Sequence, residues 1–110
     1  MSEFIYKICS RLEWKNFEKK KIFYGTKKDL LDGYVHLSKK NQVKKTLKKY
    51  FFKKGDLILL KIKALELREL KWEKSKEGEL FPHLYSFLRI EDIECQYKIS
   101  LLKNGLHSIN

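Results

Sequence analysis

A chain of 110 residues with 43% hydrophobic and 14% aromatic content is sized for one packed domain and too apolar to be disordered. Its formal net charge is +11. Apolar runs such as Leu57-Ile58-Leu59-Leu60 are too short to span a bilayer. The opening residues carry an early acid and no apolar stretch of signal-peptide length. Cys9 and Cys95 form neither a CxxC pair nor a disulfide framework, so reduced thiols in a cytoplasmic protein are expected.

The charge is unevenly placed. Residues 15–54 hold fourteen lysines against Glu18, Asp29 and Asp32, while the rest of the chain is balanced. Such asymmetry can attract polyanions, RNA among them. Yet there are 22 lysines and only three arginines, and arginine is the residue that forks onto phosphate and guanine. A solvated lysine face is the simpler reading.

Phe4 to Ile8 reads as an opening strand. Ser10-x-x-Glu13 is a capping box, which starts a helix at Arg11 that buries Trp14 and Phe17. Phe23 and Tyr24 lead into a loop through Thr26, Leu30 and Leu31. The pair Asp32-Gly33 then opens a short alternating strand, Tyr34 to Leu37, closed by Ser38. Ser38 is placed to cap a second helix, with Val43 and Leu47 on its inner face and Lys44, Lys45, Lys48 and Lys49 on its outer one. Leu57 to Ile62 is apolar enough for a central strand. Short strands follow at Leu70 to Glu73, Leu80 to Tyr85 and Gln96 to Leu101, with one helical turn near Arg89 to Ile93. The pattern is α+β, in a single domain over 1–110 with two main helices packed on the sheet.

No phosphate-binding glycine loop, GxSxG or HExxH is present, and the histidines and cysteines lack metal-ligand spacing, so no metal is expected. What stands out is a set of polar residues inside apolar strands. Alternation puts Tyr34, His36 and Ser38 on one face and Val35 and Leu37 on the core face; His83 and Tyr85 repeat the arrangement. Taken singly, each has a structural reading: a surface histidine, a cap at Ser38, a lysine partner at Glu73. Taken together they can line a cleft, with His36 and His83 converging. A ligand-facing His36 would then be dispensable for folding.

The blocks IYKICSRLEW, DGYVHLSKKNQV, LILLKI, LKWEKS and GELFPHLY resemble domain-of-unknown-function family 952, from about residue 4 to residue 100, with 101–110 as a variable tail. The resemblance implies an ADP-ribosyltransferase-like bent, split mixed β-sheet with a cleft that holds NAD in active relatives. RNA 2′-phosphotransferases of the same fold group carry a strand similar to Val35-His36-Leu37-Ser38, although Cys9, Ser10 and Arg11 stand where they place an arginine–histidine pair.

On that resemblance the ligand is a nucleotide such as NAD or ADP-ribose, and the chemistry is displacement at a ribose anomeric carbon. Glu73 would stabilise the oxocarbenium-like state and His83 act as general acid. His36, Ser38, Arg11, Trp72 and Tyr85 would bind the ligand. The alternative is a non-catalytic module that binds RNA or a nucleotide through the lysine-rich half. Either way the expected protein is a monomer or weak dimer that avoids membranes.

Overall fold

The computed structural model describes residues 4–110. In chain order it runs β1 (Phe4–Ser10), α1 (Arg11–Lys20), β2 (Ile22–Phe23), α2 (Lys27–Asp32), β3 (Val35–His36) and α3 (Val43–Tyr50), the last entered through a 3-10 turn at Lys40–Gln42. Then come β4 (Leu57–Lys63), β5 (Leu70–Lys74), β6 (Leu80–Leu84), β7 (Leu88–Arg89), a 3-10 turn at Ile90–Asp92, β8 (Ile93–Leu101) and β9 (His107–Ile109). The class is α+β, as the sequence implies.

The strands form three sheets, ordered β1-β4-β8-β9, β2-β7 and β3-β6-β5. Every ladder is antiparallel, which corrects the expected mixed sheet. The supposed tail supplies β9, whose Ser108 and Ile109 pair with Ser100 and Ile99.

β4 explains its own composition. Ile58, Leu60 and Ile62 face one core with Ile5, Trp14, Phe17, Val35, Leu37 and Leu84. Leu57 and Leu59 face another with Tyr6, Ile8, Val43, Leu47 and Ile99. A strand covered on both faces needs an unbroken apolar run. α1 and the three-stranded sheet thus cover one side of the large sheet and α3 the other, so Val43 and Leu47 pack in a different core from Trp14 and Phe17.

Local signals act where the chemistry is simple. Ser10 and Glu13 close the predicted capping box on α1. Ser38 does not cap α3. Its backbone bridges to Tyr6 through both hydrogen bonds, and Gln42 takes over by accepting from the Lys39 amide. The fully buried Gln42 also donates to Glu79 and to the Leu80 carbonyl, tying the start of α3 to β6. The segment expected as a loop after Tyr24 contains α2, capped by Thr26 and Asp29 and closed by Gly33 at φ +88°.

Candidate functional site

The three-stranded sheet carries two faces of opposite character. Val35, Leu84 and Pro82 point to the core, with Trp72 packed against it. The other face carries His36, His83 and Lys71 in one row, since His36 pairs with His83 and His83 with Lys71. Successive side chains alternate across a strand, so this row and Glu73 share a side. The two histidine rings lie 5.9 Å apart, edge to face. Tyr34 stacks on His83 at 4.1 Å and lies 4.6 Å from His36 and 5.3 Å from Tyr85.

Each histidine donates its Nδ1 hydrogen to a carboxylate. His36 meets Asp29 Oδ1 at 2.6 Å and His83 meets Glu73 Oε1 at 2.7 Å. An ionised carboxylate only accepts, so these contacts put a hydrogen on both Nδ1 atoms and orient the rings.

Asp29 is 2% exposed and saturated. It accepts from the Thr26 amide, the His36 amide, His36 Nδ1 and the Lys7 ammonium at 2.8 Å. Lys7, itself buried on β1, also donates to the His36 carbonyl. Burial alone would raise the Asp29 carboxyl, but the His36 hydrogen bond, the Lys7 charge and the Thr26 amide outweigh it and hold it well below the usual carboxylate range. Gly25, at φ +134°, makes the fit possible, because a Cβ there would come within 2.7 Å of the Asp29 Cβ.

Glu73 lives more openly. Its Oε1 accepts from the Tyr85 hydroxyl and from His83, and these two bonds, in that order, lower its carboxyl below the ordinary value. The same bond pushes the Tyr85 hydroxyl up to about 12. Lys71 lies 5.0 Å over the Tyr85 ring. On the outer side of His36, its Nε2 is 3.0 Å from Asp32 Oδ2, the oxygen that also holds Lys28 at 3.0 Å. His83 Nε2 has no partner among the described residues.

Of the residues singled out from sequence, His36, His83, Glu73 and Tyr85 come together. Three do not. The Ser38 hydroxyl is buried and lies 3.4 Å from Thr46 on α3. Trp72 sits on the core side of β5. Arg11 is exposed at the first turn of α1, with no ion pair to the cluster among the described residues. Tyr34, Asp29, Asp32, Lys7 and Lys71 join the site instead. Three of these left a trace: Tyr34 shares the alternating face of His36, Lys7 interrupts the apolar run IYKIC, and Asp29 stands at capping-box spacing from Thr26.

The histidine face is an open sheet surface, with His36 and His83 side chains 30% and 13% exposed, rather than the expected cleft. A groove of about 440 Å³ lies elsewhere, between α3 and the large sheet, lined by Tyr6, Leu59 and Tyr97 with Lys40, Lys44 and Lys61. No grouping of three or more His, Cys, Asp or Glu side chains suited to a metal ion occurs among the described residues. No helix there is long and apolar enough to cross a membrane.

An α+β domain whose tightest polar construction holds two histidines side by side defines the class. The chain belongs to the family described as Protein of unknown function (DUF952), whose profile matches residues 8–95. It is similar to protein CC0527 from Caulobacter crescentus. The crystal structure of that protein is 38% identical with a TM-score of 0.90, over 96% of this chain and 93% of that one. Its solution structure gives a TM-score of 0.84 at 38% identity, over 96% and 91% of the two chains. The curated proteins contain no match.

Proposed function

We propose that the twin-histidine face binds a nucleotide of the ADP-ribose type, NAD included, on an ADP-ribosyltransferase-like bent and split sheet. The observation that carries this reading is the pair of carboxylate-oriented histidines 5.9 Å apart with Tyr34 stacked against them. Histidines oriented in this way offer fixed hydrogen bonds to phosphate or ribose oxygens, and the exposed Tyr85 ring beside the half-buried Tyr34 offers stacking to a base or nicotinamide. The three-way division of the strands agrees with a split sheet.

Within that reading the residues take distinct tasks. His83 Nε2 is open and meets a ribose hydroxyl or phosphate, giving or taking a proton there. Glu73 holds His83 in its tautomer and, ionised at neutral pH, places negative charge where a glycosidic bond to nicotinamide would break. Tyr34 and Tyr85 flank the ligand ring. Asp29 and Lys7 touch no ligand and set the position of His36.

The test is calorimetric titration of NAD and ADP-ribose into wild type and His83→Gln, with nicotinamide release measured in parallel. Binding should weaken about tenfold or more in the variant, as for a lost hydrogen bond to a charged group. Equal binding by both proteins would sink the site assignment.

A second reading rests on the groove under α3. Lys40, Lys44 and Lys61 there pair with no carboxylate among the described residues, beside two tyrosines. A non-catalytic RNA-binding module would use this face and weaken steeply with salt, whereas a nucleotide held by a few hydrogen bonds on the histidine face would respond less.

A further inference from the structure

Asp32 is placed where an acidic residue gains least from the backbone. It is the last residue of α2, followed by the left-handed cap Gly33, and no basic residue occupies that turn. The carbonyls of a helix end repel a carboxylate. What holds the side chain is a lysine ammonium and an imidazole nitrogen: a single oxygen, Oδ2, lies 3.0 Å from Lys28 Nζ and 3.0 Å from His36 Nε2. All three groups reach solvent, at 61% for Lys28, 36% for Asp32 and 30% for His36. Exposed ion pairs of this kind are weak and readily exchanged.

The anchoring behind them is different. His36 is fixed from the far side by Asp29, which Lys7 and Thr26 hold in turn. His36 Nε2 therefore stays where it is when Asp32 swings away. An oxygen bonded to both a lysine ammonium and an imidazole N–H is what a phosphate oxygen would be in a nucleotide site.

We infer that Lys28 and His36 form a phosphate subsite which Asp32 fills with its own carboxylate until a ligand phosphate displaces it. The exchange leaves the number of hydrogen bonds unchanged, releases Asp32 to water, and replaces one negative charge by a phosphate on the same two donors. It explains why His36 has both ring nitrogens against carboxylates while His83 keeps Nε2 open: the first ring awaits an anion through a self-ligand, the second meets the ligand directly. The inference rests on the nucleotide reading of this face for its ligand and on the geometry for its mechanism.

Asp32→Asn isolates the exchange, because Asp32 is exposed and carries no core contact. Inorganic pyrophosphate serves as the probe, titrated into the full chain by calorimetry and by the side-chain nitrogen resonances of His36. Asp32→Asn should bind pyrophosphate about tenfold more tightly than wild type, since charge-assisted bonds become free to form. The gain should vanish in Asp32→Asn with Lys28→Gln. Glu94→Gln, which removes the same charge from a distant exposed position on β8, should show no gain. Equal affinity in wild type and Asp32→Asn, or an equal gain from Glu94→Gln, would overturn the exchange. ADP-ribose added in the same series separates the two readings. A pyrophosphate gain with no ADP-ribose binding by any variant keeps the subsite and removes the nucleotide assignment. ADP-ribose bound through His83 without any Asp32→Asn gain does the reverse.

Discussion

His36 and His83 stand opposite one another on neighbouring strands and give the same ring nitrogen to a carboxylate, yet the two carboxylates have different surroundings. Asp29 is sealed under α2, saturated by four donors and neutralised by a buried lysine from another sheet. Glu73 lies on an open strand with its carboxylate 39% exposed and one neighbour besides His83, the hydroxyl of Tyr85. One contact is thus part of the frame that joins β1, α2 and β3. The other could be lost without disturbing the core. The same local chemistry serves as structure where water is excluded and, on the proposed reading, as a ligand-binding group where it is not.

The largest test of this contrast is Asp29→Asn. It leaves Lys7 buried without its counter-charge, and breaking a buried pair from one side typically costs about 3–5 kcal/mol. Urea unfolding at neutral pH should show a loss of that size. The pH dependence follows from the lowered carboxyl. A carboxylate depressed in the fold contributes stability above its ordinary value of about 4 and loses it as pH falls through the folded value. The gap between wild type and variant should therefore be full at neutral pH and narrow in acid. A gap that is constant down to strong acid would show that Asp29 does not carry it.

His36→Ala comes next. On alternation alone His36 is dispensable for folding, because its side chain faces away from the core. The structure corrects this. Removing the imidazole takes away one of the two donors on Asp29 Oδ1, which keeps the backbone amide of residue 36, and a lost hydrogen bond to a buried carboxylate costs about 1.5–3 kcal/mol. Denaturant midpoints should fall accordingly and nucleotide binding should weaken as well. An unchanged midpoint would return His36 to the same class as His83.

These two residues also mark what a sequence can reveal. That His36 and His83 take the side away from the core was legible, because alternation along Tyr34-Val35-His36-Leu37 and along His83-Leu84-Tyr85 fixes it, but their direct pairing across β3 and β6 was not. β4 was legible for the same reason, with two covered faces writing an apolar run. Asp29 was not, since its role is made by Lys7 on a strand 22 positions earlier and by the cap of a helix whose apolar residues, Leu30 and Leu31, face solvent and give no inward stripe. Ser38 misled because a serine before a helix has two uses. Here the backbone was taken by the bridge to Tyr6, and Gln42 supplied the first turn instead. β9 hid in a polar tail whose pairing depends on the long edge of β8.

A smaller structural effect is expected at the open dyad. Glu73→Gln keeps a hydrogen-bond acceptor for Tyr85 and for His83, on a surface where water can replace either partner. The unfolding midpoint should stay close to wild type while ADP-ribose binding drops, and the Tyr85 hydroxyl should titrate below its present value of about 12 once the neighbouring charge is gone. Ultraviolet titration of the tyrosines reads the last effect directly. A large loss of stability would make Glu73 a second Asp29 and erase the contrast between the two halves.

The smallest expected effect lies outside the site, on the lysine face of α3. Lys45 pairs with Glu79 at 3.1 Å and Lys49 with Glu77 at 2.6 Å, all on exposed side chains or nearly so, while Lys44, at the groove, and Lys48 are exposed and pair with no carboxylate among the described residues. Pairs of this kind are screened by salt and add little to stability. Replacing Lys44, Lys45, Lys48 and Lys49 together by glutamine should leave both the unfolding midpoint and ADP-ribose binding near wild type. The nucleotide would be held by His36, His83 and Lys28; of these Lys28 comes nearest the lysine face, since it and Lys49 lie over the same Tyr50 ring at 6.0 and 5.3 Å. RNA is the discriminating ligand. If single-stranded RNA binds through this face, the quadruple variant should weaken it and flatten the slope of log affinity against log salt by up to roughly three, since each phosphate contact adds about 0.7. An unchanged RNA slope would make the lysines a solvated surface. A loss of ADP-ribose binding would instead show that the lysine face and the histidine face act as one site.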